Sequence, residues 1–255
     1  MHKSSPKPIL HDLVSRYGQT HKSLQFATYI SAYQYLKLYA LMQKYVPVGR
    51  EVLDWGTGSG HFSHFLIKAG YHASGFGFDE FPELCRGLDT DFYHYKQGSP
   101  NEPTDLPFAD QTFDAVVSVG VLEHVRETGG TELASLQEIH RILKPGGIFV
   151  CYHFPNKHSW IEYFARFTDR FSHPYLFTGS EIHSLVNAAQ FQLLEMGRYA
   201  LLPRNIWQST TLREMRFSPH IASFYNQMDT ALGWLLPQIC QNYYFVVRKQ
   251  PTGRS

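Results

Sequence analysis

Val52-Leu53-Asp54-Trp55-Gly56-Thr57-Gly58-Ser59-Gly60 joins a short apolar run to an acid and then to three alternating glycines. Downstream, Phe62, Phe65, Leu66 and Ala69 recur at i, i+3, i+4 and i+7, a one-faced helical stripe. The order reads as a buried strand, a tight loop and a helix start, the place where open α/β sheets hold nucleotide-like ligands. Glycines let the backbone adopt positive φ and let a ligand approach without a Cβ in the way. The acid is informative too: a carboxylate beside the loop suits a cationic ligand and repels a pyrophosphate. A dinucleotide fingerprint, Gly-x-Gly-x-x-Gly, would need its third glycine at position 61, which is His61.

Working outward, the chain alternates strand and helix patterns. Strands are read at 51–54, 72–78, 92–95, 113–119, 148–153, 191–196 and 243–248. Phe113–Val119 is almost continuously apolar, as a strand buried on both faces should be. Helical periodicity covers about 23–45, ended by Pro47 and Gly49, then 60–68. Thr131 is placed to cap a helix carrying Leu133, Leu136, Ile139 and Leu143, and 179–189 is a further helix. Alternation with short connections implies a mostly parallel sheet. Residues 1–20 are polar with two prolines and read as a loose lead-in. The rhythm breaks at 154–178, rich in aromatics and histidine, and at 198–241, interrupted by Pro203, Pro219 and Pro237.

Asp54, Gly56, Gly58 and Gly60 resemble motif I of the class I S-adenosylmethionine-dependent methyltransferases. The likeness continues through Leu106-Pro107-Phe108 with Phe113-Asp114, through Leu122-Glu123-His124-Val125, and through Leu143-Lys144-Pro145-Gly146-Gly147. It covers about 50–153, with an echo at 179–196. The resemblance implies an α/β fold: a Rossmann-like, seven-stranded, mostly parallel sheet with helices on both faces. A single domain over 1–255 is expected, made of a lead-in and helix (1–49), a cofactor-binding core (50–153), and an aromatic helical cap from 154–178 and 198–241, the cap being read from the aromatic residues of those two segments and not from the resemblance. S-adenosylmethionine is the implied cofactor, held by Asp54, Trp55, Gly56, Gly58, Gly60 and Gly120. Two departures stand out. Gly77 falls where the family places a ribose-binding acid, which leaves Asp79, with Glu80 as the alternative. Glu102 occupies the position of the acid that accepts from the adenine amino group.

The expected function is methyl transfer to a small-molecule acceptor by in-line displacement. The alternatives are a non-catalytic S-adenosylmethionine-binding subunit and a nicotinamide-dependent oxidoreductase. His153, at the end of the fifth strand, is the candidate base or acceptor-orienting group, with Asn156 and His158 behind it. The 23 basic and 22 acidic side chains give a net charge of +1, so no field points to nucleic acid. Cys85, Cys151 and Cys240 form no Cys-x-x-Cys pair, and the fourteen histidines show no His-Glu-x-x-His spacing, so no metal site is expected. The start of the chain has no apolar h-region and no run approaches the ~20 apolar residues of a membrane span, which makes the cytoplasm the expected compartment.

Overall fold

The computed structural model describes residues 5–17, 24–88, 93–168, 172–204, 207 and 218–250. Seven strands, β1 (Glu51–Trp55), β2 (His72–Gly77), β3 (Tyr93–Gln97), β4 (Phe113–Val119), β5 (Leu143–Pro155), β6 (Phe191–Tyr199) and β7 (Asn242–Lys249), form one sheet in the order 3-2-1-4-5-7-6. β7 runs antiparallel to both β5 and β6, and the remaining pairings from β3 to β5 are parallel. The order reverses direction between β1 and β4, so the crevice of the sheet lies at their carboxyl ends.

Alternation along each strand sorts side chains to two cores. Val52, Ala115, Val117, Val150 and Tyr152 face one side with α1 (Lys7–Tyr17), α3 (Leu36–Tyr45) and α4 (His61–Lys68). Leu53, Trp55, Val116, Phe149 and Cys151 face the other with α5 (Glu132–Ile142) and α7 (Gly179–Ala188). Burial on both faces is why these strands read as unbroken apolar runs. α5 starts where the sequence indicates: the Thr131 hydroxyl accepts from the Ala134 N–H. Thr178 caps α7 through a full capping box with Glu181.

Three expectations need correcting. The lead-in contains α1, whose Leu10, Leu13 and Val14 are fully or almost fully buried. Pro8 sits in its first turn, where a missing N–H costs nothing. The helix read over 23–45 is divided into α2 (Tyr29–Ala32), a 3₁₀ turn (Tyr33–Tyr35) and α3. Within 198–241, Pro219 opens a helix rather than breaking one: α8 (Pro219–Leu235) has Ser218 as N-cap, and Pro219 occupies its first turn. The strand read from Phe92 begins at Tyr93 among the described residues, and Phe92 itself lies outside them. None of the described helices is long and apolar enough to cross a membrane.

α8 is fastened over the carboxyl edge of the sheet by a buried ion pair. Arg204 Nη2 donates to Asp229 Oδ2, and its Nη1 donates to the Ile30 carbonyl at 2.8 Å. Asp229 Oδ1 accepts from the Leu202 N–H at 2.7 Å. Removing one partner leaves the other charge buried and uncompensated. Asp229→Ala is therefore expected to lower stability by about 3–5 kcal/mol, read as a drop in urea midpoint at unchanged m-value. A loss under ~1 kcal/mol, the size of an exposed pair, would show that this contact does not hold the segment.

Candidate functional site

The glycine loop is pinned to the neighbouring strand. The Gly56 and Thr57 N–H groups both donate to the Phe76 carbonyl, at 2.8 and 3.0 Å. At Gly56 a Cβ would lie 2.3 Å from Val121 Cγ2, so only glycine fits. Gly58 has φ +48° with nothing within 4 Å of where a Cβ would stand. A side chain there would be strained and would project into the open space above the loop.

That space is a cavity of about 400 Å³ bounded by Trp55, Gly56, Gly58, Phe76, Gly77, Asp79, Pro103 and Gly120. A second, larger cavity of about 640 Å³ adjoins it, and Gly120 and His124 line both. The larger one is walled by Tyr35, His61, Glu123, His153, Glu162, His173, Arg204 and Asn242, among others. The junction lies where β4 ends, and the Gly120 N–H donates to the Tyr152 carbonyl of β5 at 2.9 Å.

Of the cofactor residues read from the sequence, Trp55, Gly56, Gly58, Asp79 and Gly120 line the smaller cavity, while Asp54, Gly60 and Glu102 do not. Asp54 turns behind the loop, where its Oδ2 accepts from the Ser63 hydroxyl of α4 at 2.7 Å. Burial pushes its carboxyl up to about 7, against the lowering effect of the Ser63 hydrogen bonds. It fastens α4 to β1 from behind the cavity wall. Gly60 faces Pro82 and Cys85, where a Cβ would be 2.5 and 3.0 Å from the nearest atoms. Glu102 is exposed, and its neighbour Pro103 forms the wall in its place.

The missing acid at Gly77 has a steric counterpart. A Cβ there would stand 3.1 Å from the Tyr95 hydroxyl and 3.2 Å from Thr57 Oγ1, so the position is already filled. Tyr95 donates to the Asp79 carbonyl at 2.6 Å, which fixes the backbone of the next acid on the cavity rim. Glu80 is exposed and does not reach this wall.

His153 sits at a bulge in β5: the register with β7 shifts between Tyr152 and Phe154, and His153 adopts φ +68°. Such a conformation costs a non-glycine residue about 1–3 kcal/mol and aims the side chain out of the ladder. Tyr199 holds it there. The phenol accepts from the His153 backbone N–H at 2.9 Å and lies 2.8 Å from Nδ1. The phenol O–H and the Asn242 amide, whose Nδ2 lies 3.5 Å away, are both donors that Nδ1 can accept from, an arrangement that puts the ring proton on Nε2. Burial first, then the neighbouring His61, His173 and Arg204, lowers the imidazole to about 3. His153 is thus a neutral N–H donor to the cavity and a poor base.

Asn156 is consumed structurally: Nδ2 donates to the Gln238 and Cys240 carbonyls, each at 2.8 Å, and Oδ1 accepts from the His158 N–H. His158 is exposed. Neither lines the larger cavity. Among the described residues the aromatics of 154–178 do not line it either, and Tyr163, Phe164 and Phe167 of α6 (Trp160–Ala165) and its following turn face solvent; Phe171 lies outside the described residues. Both irregular segments do contribute walls, but through Ile161, Glu162, Ala165, His173, Pro203 and Arg204. Tyr35 and His61 enter from helices that the sequence reading assigned no role in the site. Burial lowers the His61 imidazole to about 4, so it too is neutral.

A methyltransferase-domain family model matches residues 26–196. A demethylmenaquinone methyltransferase of Tropheryma whipplei (strain Twist) is 30% identical over 138 residues, 51% of this chain and 53% of the relative. A sterol 24-C-methyltransferase of Gibberella zeae is 32% identical over 112 residues, 41% of this chain and 27% of the relative. The chain thus spans about half the length, or less, of these curated relatives. Among solved structures, a chain of the complex between the Haloferax volcanii Trm112 methyltransferase activator and a methyltransferase superposes with a TM-score of 0.59 at 20% identity, covering 96% of this chain and 99% of that one. A Haemonchus contortus phosphoethanolamine N-methyltransferase, crystallised with phosphomonomethylethanolamine and S-adenosylhomocysteine, gives 0.58 at 16% identity over 95% of this chain and 60% of that one. At such identities the structural likeness is one of fold.

Two outcomes follow from the loop geometry. Gly58→Val should abolish most S-adenosylmethionine binding in calorimetric titration while the circular dichroism spectrum stays native; undiminished affinity would move the cofactor away from this loop. The folded-state value of Asp54 stands above the ordinary 3.8, so folding takes up a proton between the two. Its contribution to stability is greatest below pH 3.8 and falls as pH rises to about 7. Asp54→Asn should flatten that fall in urea midpoints measured across this range, and an unchanged slope would show that Asp54 is ionised throughout.

Proposed function

Since this chain belongs to the family of S-adenosylmethionine-dependent class I methyltransferases, we propose that it transfers the methyl group to a small-molecule acceptor held in the larger cavity. The observation that carries this reading is the shared wall: Gly120 and His124 border both cavities, so a cofactor lying in the smaller one presents its methyl to the larger. Support for the acceptor class comes from the relatives named for demethylmenaquinone and sterol. The walls of the larger cavity, drawn from stretches spread between Gln25 and Asn242, also suit an enclosed small ligand better than a polymer.

The reaction is a single displacement. The acceptor forms a bond to the methyl carbon as the carbon–sulfur bond breaks, and the electron pair passes to sulfur. The cofactor supplies the activated methyl, so the protein's work is alignment and exclusion of water. In this reading the smaller cavity holds the adenosine, with Asp79 at the ribose. The segments 154–178 and 198–241 serve as the acceptor cap. His153 donates its Nε2–H to the acceptor and fixes its orientation, and Tyr199 fixes the tautomer.

The reading is tested by incubating the protein with methyl-labelled S-adenosylmethionine and a panel of phenols, quinols, sterols and amines. Label in the small-molecule fraction is the expected result, and label only in added RNA or protein would contradict it. Asp79→Ala should weaken cofactor affinity by about 1.5–3 kcal/mol, the range for a hydrogen bond to a charged group, with Glu80→Ala near neutral; the reverse order would transfer the ribose to Glu80. His153→Ala should lower kcat about 10²-fold, the scale of a lost oriented donor, at unchanged cofactor affinity. Wild-type turnover would remove His153 from the mechanism.

A further inference from the structure

Glu123, His124 and His173 converge on the wall of the larger cavity. One ligand-type atom from each lies within 4.8 Å of the other two. His124 and His173 come from distant parts of the chain, and their rings stand 5.4 Å apart at an interplanar angle of 30°. Glu123 is buried, and its Oε2 has no hydrogen-bond partner. Its other oxygen, Oε1, would lie 3.6 Å from a Cβ placed on Gly120, at the junction of the two cavities.

Each histidine is also held from behind by a carboxylate. His124 Nδ1 is 2.7 Å from Glu127 Oε1, and His173 Nδ1 is 3.0 Å from Glu162 Oε1. Glu162 is itself fixed, since its Oε2 accepts from the His173 backbone N–H and its Oε1 accepts from Gln241 Nε2. A carboxylate on the far nitrogen is the arrangement that orients metal-ligating imidazoles and fixes the tautomer with Nε2 forward. His124 Nε2 lies 4.0 Å from Glu123 Oε1.

We propose that Glu123, His124 and His173 bind a divalent metal ion at the junction of the two cavities, through one carboxylate oxygen and the two Nε2 atoms. Two imidazoles and one carboxylate suit a first-row ion such as Zn²⁺ or Mn²⁺, and three protein ligands leave a position open toward the cavity. Metal–ligand distances of about 2.0–2.2 Å need only small side-chain closure from the present spacing. Resting on the methyltransferase reading, the open position defines the acceptor: a hydroxyl, phenol or enol oxygen. Coordination lowers the acidity barrier of that group, and its proton leaves to water. The oxygen then attacks the methyl carbon, the carbon–sulfur bond breaks, and the pair goes to sulfur.

The test is calorimetric titration of the chelator-treated protein with Zn²⁺ and with Mn²⁺ alone, in parallel with S-adenosylmethionine. One equivalent of metal should bind. Glu123→Gln and His173→Ala should each weaken it at least about tenfold, and Glu162→Gln about 10–100-fold, the effect of a lost outer carboxylate. His158→Ala, at an exposed site outside the cavity, should leave it unchanged. Mn²⁺ should also broaden the His124 and His173 imidazole resonances of the wild-type protein, which needs no variant to fold. No metal binding, or binding that these substitutions and resonances do not register, overturns the proposal. Cofactor affinity is read separately, so loss of the metal with S-adenosylmethionine binding intact leaves the methyltransferase reading standing.

Discussion

The Phe76 carbonyl at the end of β2 accepts from two consecutive N–H groups of the loop after β1. That fork holds the loop open-side up at the point where the strand order reverses, and the other features of the site are placed relative to it. With the loop fixed there, Val121 closes over Gly56, Tyr95 and Thr57 fill the space beside Gly77, and the remaining room becomes the smaller cavity. β4 lies alongside β1 in parallel register, so its last residues deliver Gly120 to the same edge. β5 follows in register with β4, and its bulge brings His153 to the opposite side of Gly120. Strand pairing therefore sets the distance between the two cavities.

The larger cavity owes its character to burial acting on imidazoles. His61 and His153 are both held neutral at physiological pH because desolvation disfavours the cation. Neutral imidazoles at His61 and His153 add no charge of their own beside a cofactor that carries a positive sulfonium. Arg204, on the same wall, has its guanidinium paired with Asp229. The strain at His153 fits the same picture: backbone energy is spent to turn one imidazole inward, and the Tyr199 hydroxyl satisfies the N–H that leaves the ladder.

Much of this was legible in the residues. The strands showed because burial on both faces leaves uninterrupted apolar runs such as Phe113–Val119, and the loop showed because its glycines are spaced for a turn. α1 was hidden because Leu10, Leu13 and Val14 follow two prolines, Pro6 and Pro8, and stand among polar residues. α8 was hidden because Pro219 was read as a break when it opens the helix. The motif places Asp54 beside the loop, but which way a strand residue points depends on the helix packed against it, and Ser63 of α4 donates to its Oδ2. The cluster of Glu123, His124 and His173 has no sequence spacing to find, because the fold alone brings α6's downstream segment against the turn after β4. A positive φ at a histidine leaves no mark in the sequence either.

The claim on which the account rests is that the cofactor's reacting centre lies at Gly120, between the two cavities. A crystal structure of the protein with S-adenosylhomocysteine tests it most directly. The account predicts the adenosine against Trp55, Gly58 and Asp79, with the sulfur beside Gly120 and turned toward His153. A cofactor bound elsewhere, or a sulfur facing away from the larger cavity, would contradict it.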